Sequence, residues 1–402
     1  MGEATKTTLG DLAKAGHLEF GDGYRTKRAE HGKPGIPILR VAEVLDGKIL
    51  PALEDYVSDA YRDSMGQKIS QPGDVVLTTK GTVGRVAIMP SNSPEFVYSP
   101  QLCYFRLRPG SPLLARYLYY WFKSEQFWSQ ARSRKSQTDM ADYLNLADIR
   151  SLEISLPELR EQQAVTSVLG ALDDKIAVNE RITDSCDKLA ESLLDQLLAE
   201  DTEVKEIPLG EIAKINPRTV KPVAGGYLRY IDISCVSAGR IEWPKRLPWD
   251  KAPGRARRGV SPGDTIWSTV RPGRRSYALI LDKDPEIVVS TGFVVLTPVK
   301  VGPAFLYEIV KRDAFVRYLE NVAEGSAYPA VRPERFASAT IPLPSVHTLQ
   351  RFEDAVMPLR CRAHAADQES RTLAQLRDTL LPKLMSGELR VRDAEKAVEE
   401  AL

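Results

Sequence analysis

QPGDVVLTTKGTVGRV, residues 71–86, returns at residues 261–276 as SPGDTIWSTVRPGRRS. Gly73, Gly81 and Gly84 surround Lys80 and Arg85, with Thr78, Thr79 and Thr82 between them. Glycine, lysine and threonine are the residues of a phosphate-cradling loop. The Walker pattern, however, places its lysine directly after the last glycine and follows it with Ser or Thr. Here Lys80 precedes Gly81, and the dinucleotide pattern G-x-G-x-x-G is absent. The plain reading is a tight turn between two strands, used twice.

The rest of the chain repeats in the same order. LGDLAKA (9–15) matches LGEIAKI (209–215), FVYSPQLCYFRL (96–107) matches IVVSTGFVVLTP (287–298), and LEISLP (152–157) matches ATIPLP (339–344). The offset drifts from 200 through 190 to 187, so the copies differ by loop deletions and not by rearrangement. A repeat this long exceeds a solenoid unit, and each copy should hold its own domain. Each begins with short β-branched and aromatic runs broken by Pro-Gly, Gly-Thr and Asp-Gly. An amphipathic segment follows, at 114–131 in the first copy and 305–320 in the second. A Leu-Pro pair then closes the globular part, and a long helix comes last.

The first long helix is predicted from Leu159 to Leu198, with a seam of Val165, Leu169, Leu172, Ile176, Asn179, Ile182, Cys186, Leu189, Leu193 and Leu197. The second is predicted from Leu349 to Leu384, with Phe352, Val356, Leu359, Ala363, Ala366, Ser370, Leu373, Leu376, Leu380 and Leu384. Steps of three and four are coiled-coil spacing. Asn179 is either buried, fixing the register, or exposed at a fraying position. Pro358 should kink the second helix or start it. Two helices of about 60 Å in one chain cover each other most simply by pairing antiparallel. The expected fold is therefore α+β: two tandemly duplicated globular domains separated by a pair of long antiparallel coiled-coil helices. The expected boundaries are 1–157, 158–203, 204–344 and 345–402.

A net charge of +1 on 402 residues argues at first against a nucleic-acid partner. Split at these boundaries, the segments carry +2, −8, +8 and −1, so the globular parts are basic and the helices acidic. The positive charge is also clustered. Arg255, Arg257 and Arg258 precede the second glycine turn, and Arg271, Arg274 and Arg275 lie on it. Arg132, Arg134 and Lys135 precede SQTDMADY in the first copy. The matching stretch of the second copy, EGSAYPAVRP (324–333), is less basic but rich in Gly, Ser and Tyr. Arginine clusters on loops are ordinarily solvated surface. Clusters at equivalent places in a duplicated fold favour phosphate contact and base-edge reading. The candidate DNA-binding residues are Lys80, Thr82, Arg85, Arg132, Arg134, Lys135 and Gln137 in the first copy. In the second they are Arg255, Arg257, Arg258, Arg271, Arg274, Arg275, Ser326, Tyr328 and Arg332.

Catalytic patterns are missing. Asn216-Pro217-Arg218 stops short of the Asn-Pro-Pro-Tyr of an amino-methyltransferase, and AGGY (224–227) lies in a proline-flanked loop unsuited to S-adenosylmethionine. After Asp74 the strand reads VVLTTK and after Asp264 it reads TIWSTV, so neither carries the acid-x-lysine element of a nuclease. Four scattered cysteines without C-x-x-C, and four dispersed histidines, point away from disulfides and zinc and toward a reducing cytoplasm. No catalytic residue, metal site or cofactor is expected, and no apolar run approaches the roughly 20 residues that cross a bilayer.

The sequence resembles the DNA-specificity subunit of type I restriction-modification enzymes. The paired PGD turns, the KGTVG loop, the Leu-Pro exits with Gln163 and Gln350 at the helix starts, and LRDTLLPKLMSGELRV (376–391) carry the resemblance over nearly the whole chain. It implies two target-recognition domains, 1–157 and 204–344, each reading half of a bipartite duplex DNA site. It implies spacer helices, 158–203 and within 345–402, that hold two methyltransferase subunits and, optionally, two restriction-translocase subunits. S-adenosylmethionine and ATP would belong to those partners. Two alternatives stay open: an orphan or related-system DNA-binding scaffold, and a DNA-processing enzyme with an unrecognised active site.

Overall fold

The computed structural model describes residues 5–134, 136–138, 141–326 and 328–399, with backbone alone at 136–138, 141 and 142. The chain forms two compact units: residues 1–176 with 371–402, and residues 177–370.

In the first unit, β1 (Leu18–Asp22), β2 (Gly35–Leu39), β3 (Tyr56–Ser58), β4 (Val75–Thr78), β5 (Val86–Ile88), β6 (Val97–Tyr98) and β7 (Leu102–Leu107) form two sheets. One is antiparallel in the order β1-β7-β4-β5, and the other runs β3-β2-β6 with β2 and β6 parallel. The glycine-rich turn joins β4 to β5, which pair from Val75–Ile88 to Leu77–Val86. It is a hairpin connection, as its sequence implies. Thr5–Thr8 pairs antiparallel with Glu153–Leu156 and ties the two ends of the globular part together. The amphipathic segment is two helices, α1 (Ala115–Lys123) and α2 (Glu125–Arg134), broken at Ser124. Every residue of α1 from Tyr117 to Phe122 is buried. A helix apolar on all sides must be covered on all sides, and this one lies in one core with strand residues Leu77 and Phe105 and with Leu169 and Leu172 of the first long helix. That helix, α3, runs Leu159–Glu200.

The second unit repeats the topology with one strand more in its second sheet. β8 (Ala213–Ile215), β9 (Tyr227–Ile231), β10 (Arg246–Pro248), β11 (Ala256–Gly259), β12 (Thr265–Ser268), β13 (Tyr277–Leu279), β14 (Ile287–Ser290) and β15 (Phe293–Pro298) form the sheets β8-β15-β12-β13 and β10-β9-β14-β11. Lys205–Pro208 pairs with Thr340–Leu343, as Thr5–Thr8 does with its partner. Helices α4 (Pro303–Lys311) and α5 (Asp313–Val322) correspond to α1 and α2. The last helices are α6 (Val346–Ser386) and α7 (Val391–Glu399).

In each copy a side chain of the long helix caps the buried helix beside it. The fully buried Gln162 of α3 accepts from Leu114 N–H at 3.0 Å and donates to the Pro112 and Pro157 carbonyls, capping the start of α1. In the second copy Glu353 of α6 accepts from Ala304 and Phe305 N–H at 3.1 and 3.2 Å, capping α4. Burial raises the Glu353 carboxyl above its ordinary range.

The long helices pair antiparallel within each unit. In the second unit Asn179 meets Glu369 (Nδ2 to Oε2, 2.8 Å), Thr183 meets the Ala363 carbonyl, and Asp187 meets Arg360. Asn179 is 1% exposed, so of its two readings the buried one holds. In the first unit Arg377 binds Asp173 at 2.7 Å, and Leu373, Leu380, Leu381 and Leu384 share the core of α1.

Two details of the predicted seams change. Beyond Cys186 the buried line steps to Ala190 and Leu194, while Leu189 is 49% exposed. A straight α-helix repeats every 3.6 residues and drifts from a strict 3.5-residue seam, and here the globular part supplies the cover. On α6 the buried position is Arg360, not the half-buried Leu359. Arg360 pairs with Asp187 and with the fully buried Glu308, which also binds Lys311 at 2.7 Å. Pro358 neither starts nor interrupts α6, which begins twelve residues earlier at Val346.

The start of α6 carries a pH-sensitive tie. Asp201 accepts from Glu203 and Ser345 N–H at 2.7 and 3.0 Å. The Thr348 hydroxyl first, and these amides next, hold its carboxyl at about 2, below the ordinary 3.8. A depressed carboxyl contributes stability that is full above the unfolded value and lost as pH falls through the folded one. The Asp201→Asn chain should therefore lose less stability than the parent between pH 4 and pH 2. Thermal melts across that window check this, and parallel curves would remove Asp201 from the account.

Candidate nucleic-acid interface

Three loops meet at one corner of the first unit: the β4–β5 turn, the β6–β7 turn and the segment after α2. Thr79 donates its N–H and its hydroxyl to the Gln101 carbonyl at 2.9 and 3.1 Å. Leu144 N–H donates to the Thr79 carbonyl at 3.0 Å, and Lys80 bridges Tyr143. The second unit builds the same corner with the same bonds. Thr269 donates to the Gly292 carbonyl, Val331 N–H to the Thr269 carbonyl at 2.8 Å, and Val270 bridges Ala330. Thr291 N–H donates to the Arg255 carbonyl at 2.9 Å, which brings the end of β11 to the corner as well.

The PGD aspartates lie at the other end of the same strands, away from the corner. Asp74, 1% exposed, accepts from Gln71 N–H, from Tyr98 O–H at 2.8 Å and from Arg106 Nε and Nη2 at 2.8 and 2.7 Å. Asp264, equally buried, accepts from Ser261 N–H and Thr297 O–H and pairs with Arg218. These carboxylates brace a hairpin. The recurrence of PGD in both copies was the available signal, and it marks a structural position.

The glycines also have a packing reason. A Cβ at Gly84, φ +99°, would sit 2.1 Å from the Trp128 ring of α2, whereas one at Gly81, φ +82°, would meet nothing within 4 Å. The turn is thus pressed onto α2 at one glycine and open at the other. Gly81→Ala should cost only the left-handed backbone, about 1–2 kcal/mol, while Gly84→Ala should cost more and displace the turn. Urea unfolding of the two variants checks the order, and equal losses would contradict it.

The predicted residues fall into distinct groups. At the corner itself stand Lys80, 4.0 Å from Asp22, the exposed Thr82 and the half-buried Arg85. Their counterparts are Arg255, Arg271, Arg274, Ser326 and Tyr328. Arg255, Arg274, Ser326 and Tyr328 are exposed, and the Arg271 guanidinium lies 4.2 Å over the Tyr328 ring. Others are engaged within the fold. Arg275 pairs with Asp313, Arg332 with Glu324 at 2.8 Å, and Arg132 with Glu125. Arg134 donates to Ser151 Oγ at 3.1 Å, and Arg257 to the Ala256 carbonyl at 2.7 Å. Arg258 stands at the irregular pairing of β11 and bridges Thr219. Lys135 and the side chain of Gln137 lie outside the described residues.

Among the described residues no group of three or more His, Cys, Asp or Glu side chains is placed to hold a metal ion. No helix is long and apolar enough to cross a membrane, again among the described residues.

Residues 1–186 match the family described as "Type I restriction modification DNA specificity domain". The chain is 28% identical over 132 residues to the Type I restriction enzyme HindI specificity subunit of Haemophilus influenzae, covering 32% of this chain and 29% of that one. It is 22% identical over 366 residues to the Type I restriction enzyme MjaIX specificity subunit of Methanocaldococcus jannaschii, covering 81% and 80%. The crystal structure of a type I restriction-modification system S subunit from M. genitalium superposes with a TM-score of 0.58 at 16% identity, over 94% of this chain and 95% of that one.

Proposed function

We propose that the chain is a type I restriction-modification DNA-specificity subunit, the family that its residues 1–186 match, and that each unit reads one half of a bipartite duplex site through its three-loop corner. One observation supports this above the rest. The two corners share their backbone bonds, yet the residues they carry differ, Lys80-Gly81-Thr82 in one and Val270-Arg271-Pro272 in the other. A common frame with unlike side chains suits two readers of unlike sequences. On this reading the chain is not a catalyst. Two methyltransferase subunits, and optionally two restriction-translocase subunits, bring the chemistry together with S-adenosylmethionine and ATP, in the cytoplasm.

Co-purification with a methyltransferase encoded beside it, followed by sequencing of methylated bases, tests the proposal. A methylated bipartite motif is expected. Methylation or cleavage by the purified chain alone would refute it.

The length of α3 and α6 sets the spacer between the half-sites in this proposal. One heptad added to each, near Asn179 and Ala366, lengthens each helix by about 10 Å. Seven residues keep a coiled-coil seam in phase. Both half-sites should stay the same while the spacer grows by about three base pairs, at roughly 3.4 Å per step. A variant that methylates with the original spacer would show that the helices do not measure the site.

A further inference from the structure

The two hairpin turns can be aligned from their bonds. Thr78 and Ser268 donate to the carbonyls of Arg85 and Ser276 at 2.9 and 2.8 Å, and Thr79 and Thr269 donate across to the neighbouring turn. Counting forward from these threonines, Gly81 corresponds to Arg271. Counting back from Val86 and Tyr277, which face Leu77 and Trp267 across the hairpins, Gly84 corresponds to Arg275. All four residues are left-handed, at φ +82° and +99° for the glycines and +50° and +54° for the arginines. The first copy fills both positions with glycine, which adopts this conformation freely. The second fills both with arginine, which does so against a steric penalty.

Strain of this kind persists where the side chain is needed there. Arg275 pairs with Asp313 of α5, a contact within the fold. Arg271 has an aromatic neighbour. Its N–H donates to the Pro329 carbonyl at 2.7 Å, and its guanidinium lies 4.2 Å over the ring of Tyr328, which is 69% exposed. Stacking on an aromatic face orients the planar fork of an arginine before any ligand arrives. That fork matches the O6 and N7 acceptors of guanine in the major groove, whereas a lysine offers a point charge.

We infer that Arg271, stacked on Tyr328, reads a guanine in the half-site of the second unit. The inference rests on the proposed function and adds the base and the residue. Its test is selection of bound sequences from a randomised duplex library by the full chain with its methyltransferase partner. Wild type should select a bipartite motif. Arg271→Gly, which installs the residue of the sibling turn, should melt at or above the wild-type temperature. It should relax one G·C position, in one half-site only, by about five- to a hundred-fold. Arg271→Lys should relax the same position while keeping the charge, and Tyr328→Leu should relax it less. An unchanged motif, or relaxation at a position that is not G·C, overturns the inference. So does a uniform loss of affinity with a smaller salt slope, which would make Arg271 a phosphate contact. A wild-type complex that selects no motif would refute the proposed function itself, a separate and recognisable failure.

Discussion

Asp74→Ala should destabilise the first unit by about 3–5 kcal/mol, the penalty for breaking a buried charge pair by removing one partner. Arg106 is 5% exposed, and its fork is fixed by Asp74, by the Gln67 side chain and by the Ile69 carbonyl, 5.2 Å from the Tyr104 ring. Without the carboxylate its charge stays buried, and Tyr98 O–H loses its acceptor. Asp74→Asn should cost nearly as much, because it keeps the shape and loses the charge. The double change Asp74→Leu with Arg106→Met should recover most of the loss, since an apolar pair of similar volume replaces a buried ion pair with little cost. Hydrogen exchange resolved along the chain separates the units. Protection should fall in β4, β6 and β7 and hold in β12 to β15. A loss under about 1 kcal/mol would show that water reaches the pair. The equivalent Asp264→Ala should cost less, about 1–3 kcal/mol, because its arginine, Arg218, is 40% exposed and can turn to solvent.

Replacing Arg271, Arg274 and Arg275 together by alanine should abolish specific binding through the second unit while the first half-site is still read. The slope of log affinity against log salt should fall by about 0.9 for each phosphate that the turn no longer neutralises. Three arginines suggest three such phosphates, but the structure argues for fewer. Arg275 is paired with Asp313, and Arg271 is stacked on Tyr328, which leaves the exposed Arg274 as the phosphate partner of the turn. The expected fall is therefore about 0.9 rather than three times that. Titrations at several salt concentrations measure it. An unchanged slope with unchanged affinity would move the cluster away from DNA, and the full threefold fall would mean that Arg275 leaves Asp313 on binding.

The duplication, the hairpin under the glycines and the two long helices were legible because each rests on local pattern. Strand punctuation, a repeated PGD and a stripe of leucines need no knowledge of distant neighbours. What escaped depended on those neighbours. Asp74 reads as half of an unfinished nuclease motif until Arg106 and Tyr98 arrive from other strands. Leu189 and Ala190 are equally plausible seam residues until the globular part covers one of them. Arg360 breaks the stripe in sequence and is buried because Glu308, on the helix α4, and Asp187 supply its counter-charge. At the corner, sequence named loops that the fold does bring together, but it could not separate an arginine turned outward from one such as Arg134, spent on Ser151. Composition places charge on a segment; pairing is a three-dimensional fact.

The core of the first unit contains Leu373, Leu380, Leu384, Ala394 and Val398 beside Leu9 and Trp121. During synthesis that core stays open until Val398 has left the ribosome. The second unit, one unbroken stretch from 177 to 370, has all of its residues some thirty positions sooner. The half made first is thus finished last, and it waits with the apolar face of α1 uncovered. A nascent chain in this state is a client for a chaperone. A frameshift or stop codon after residue 370 would strike the first unit and spare the second.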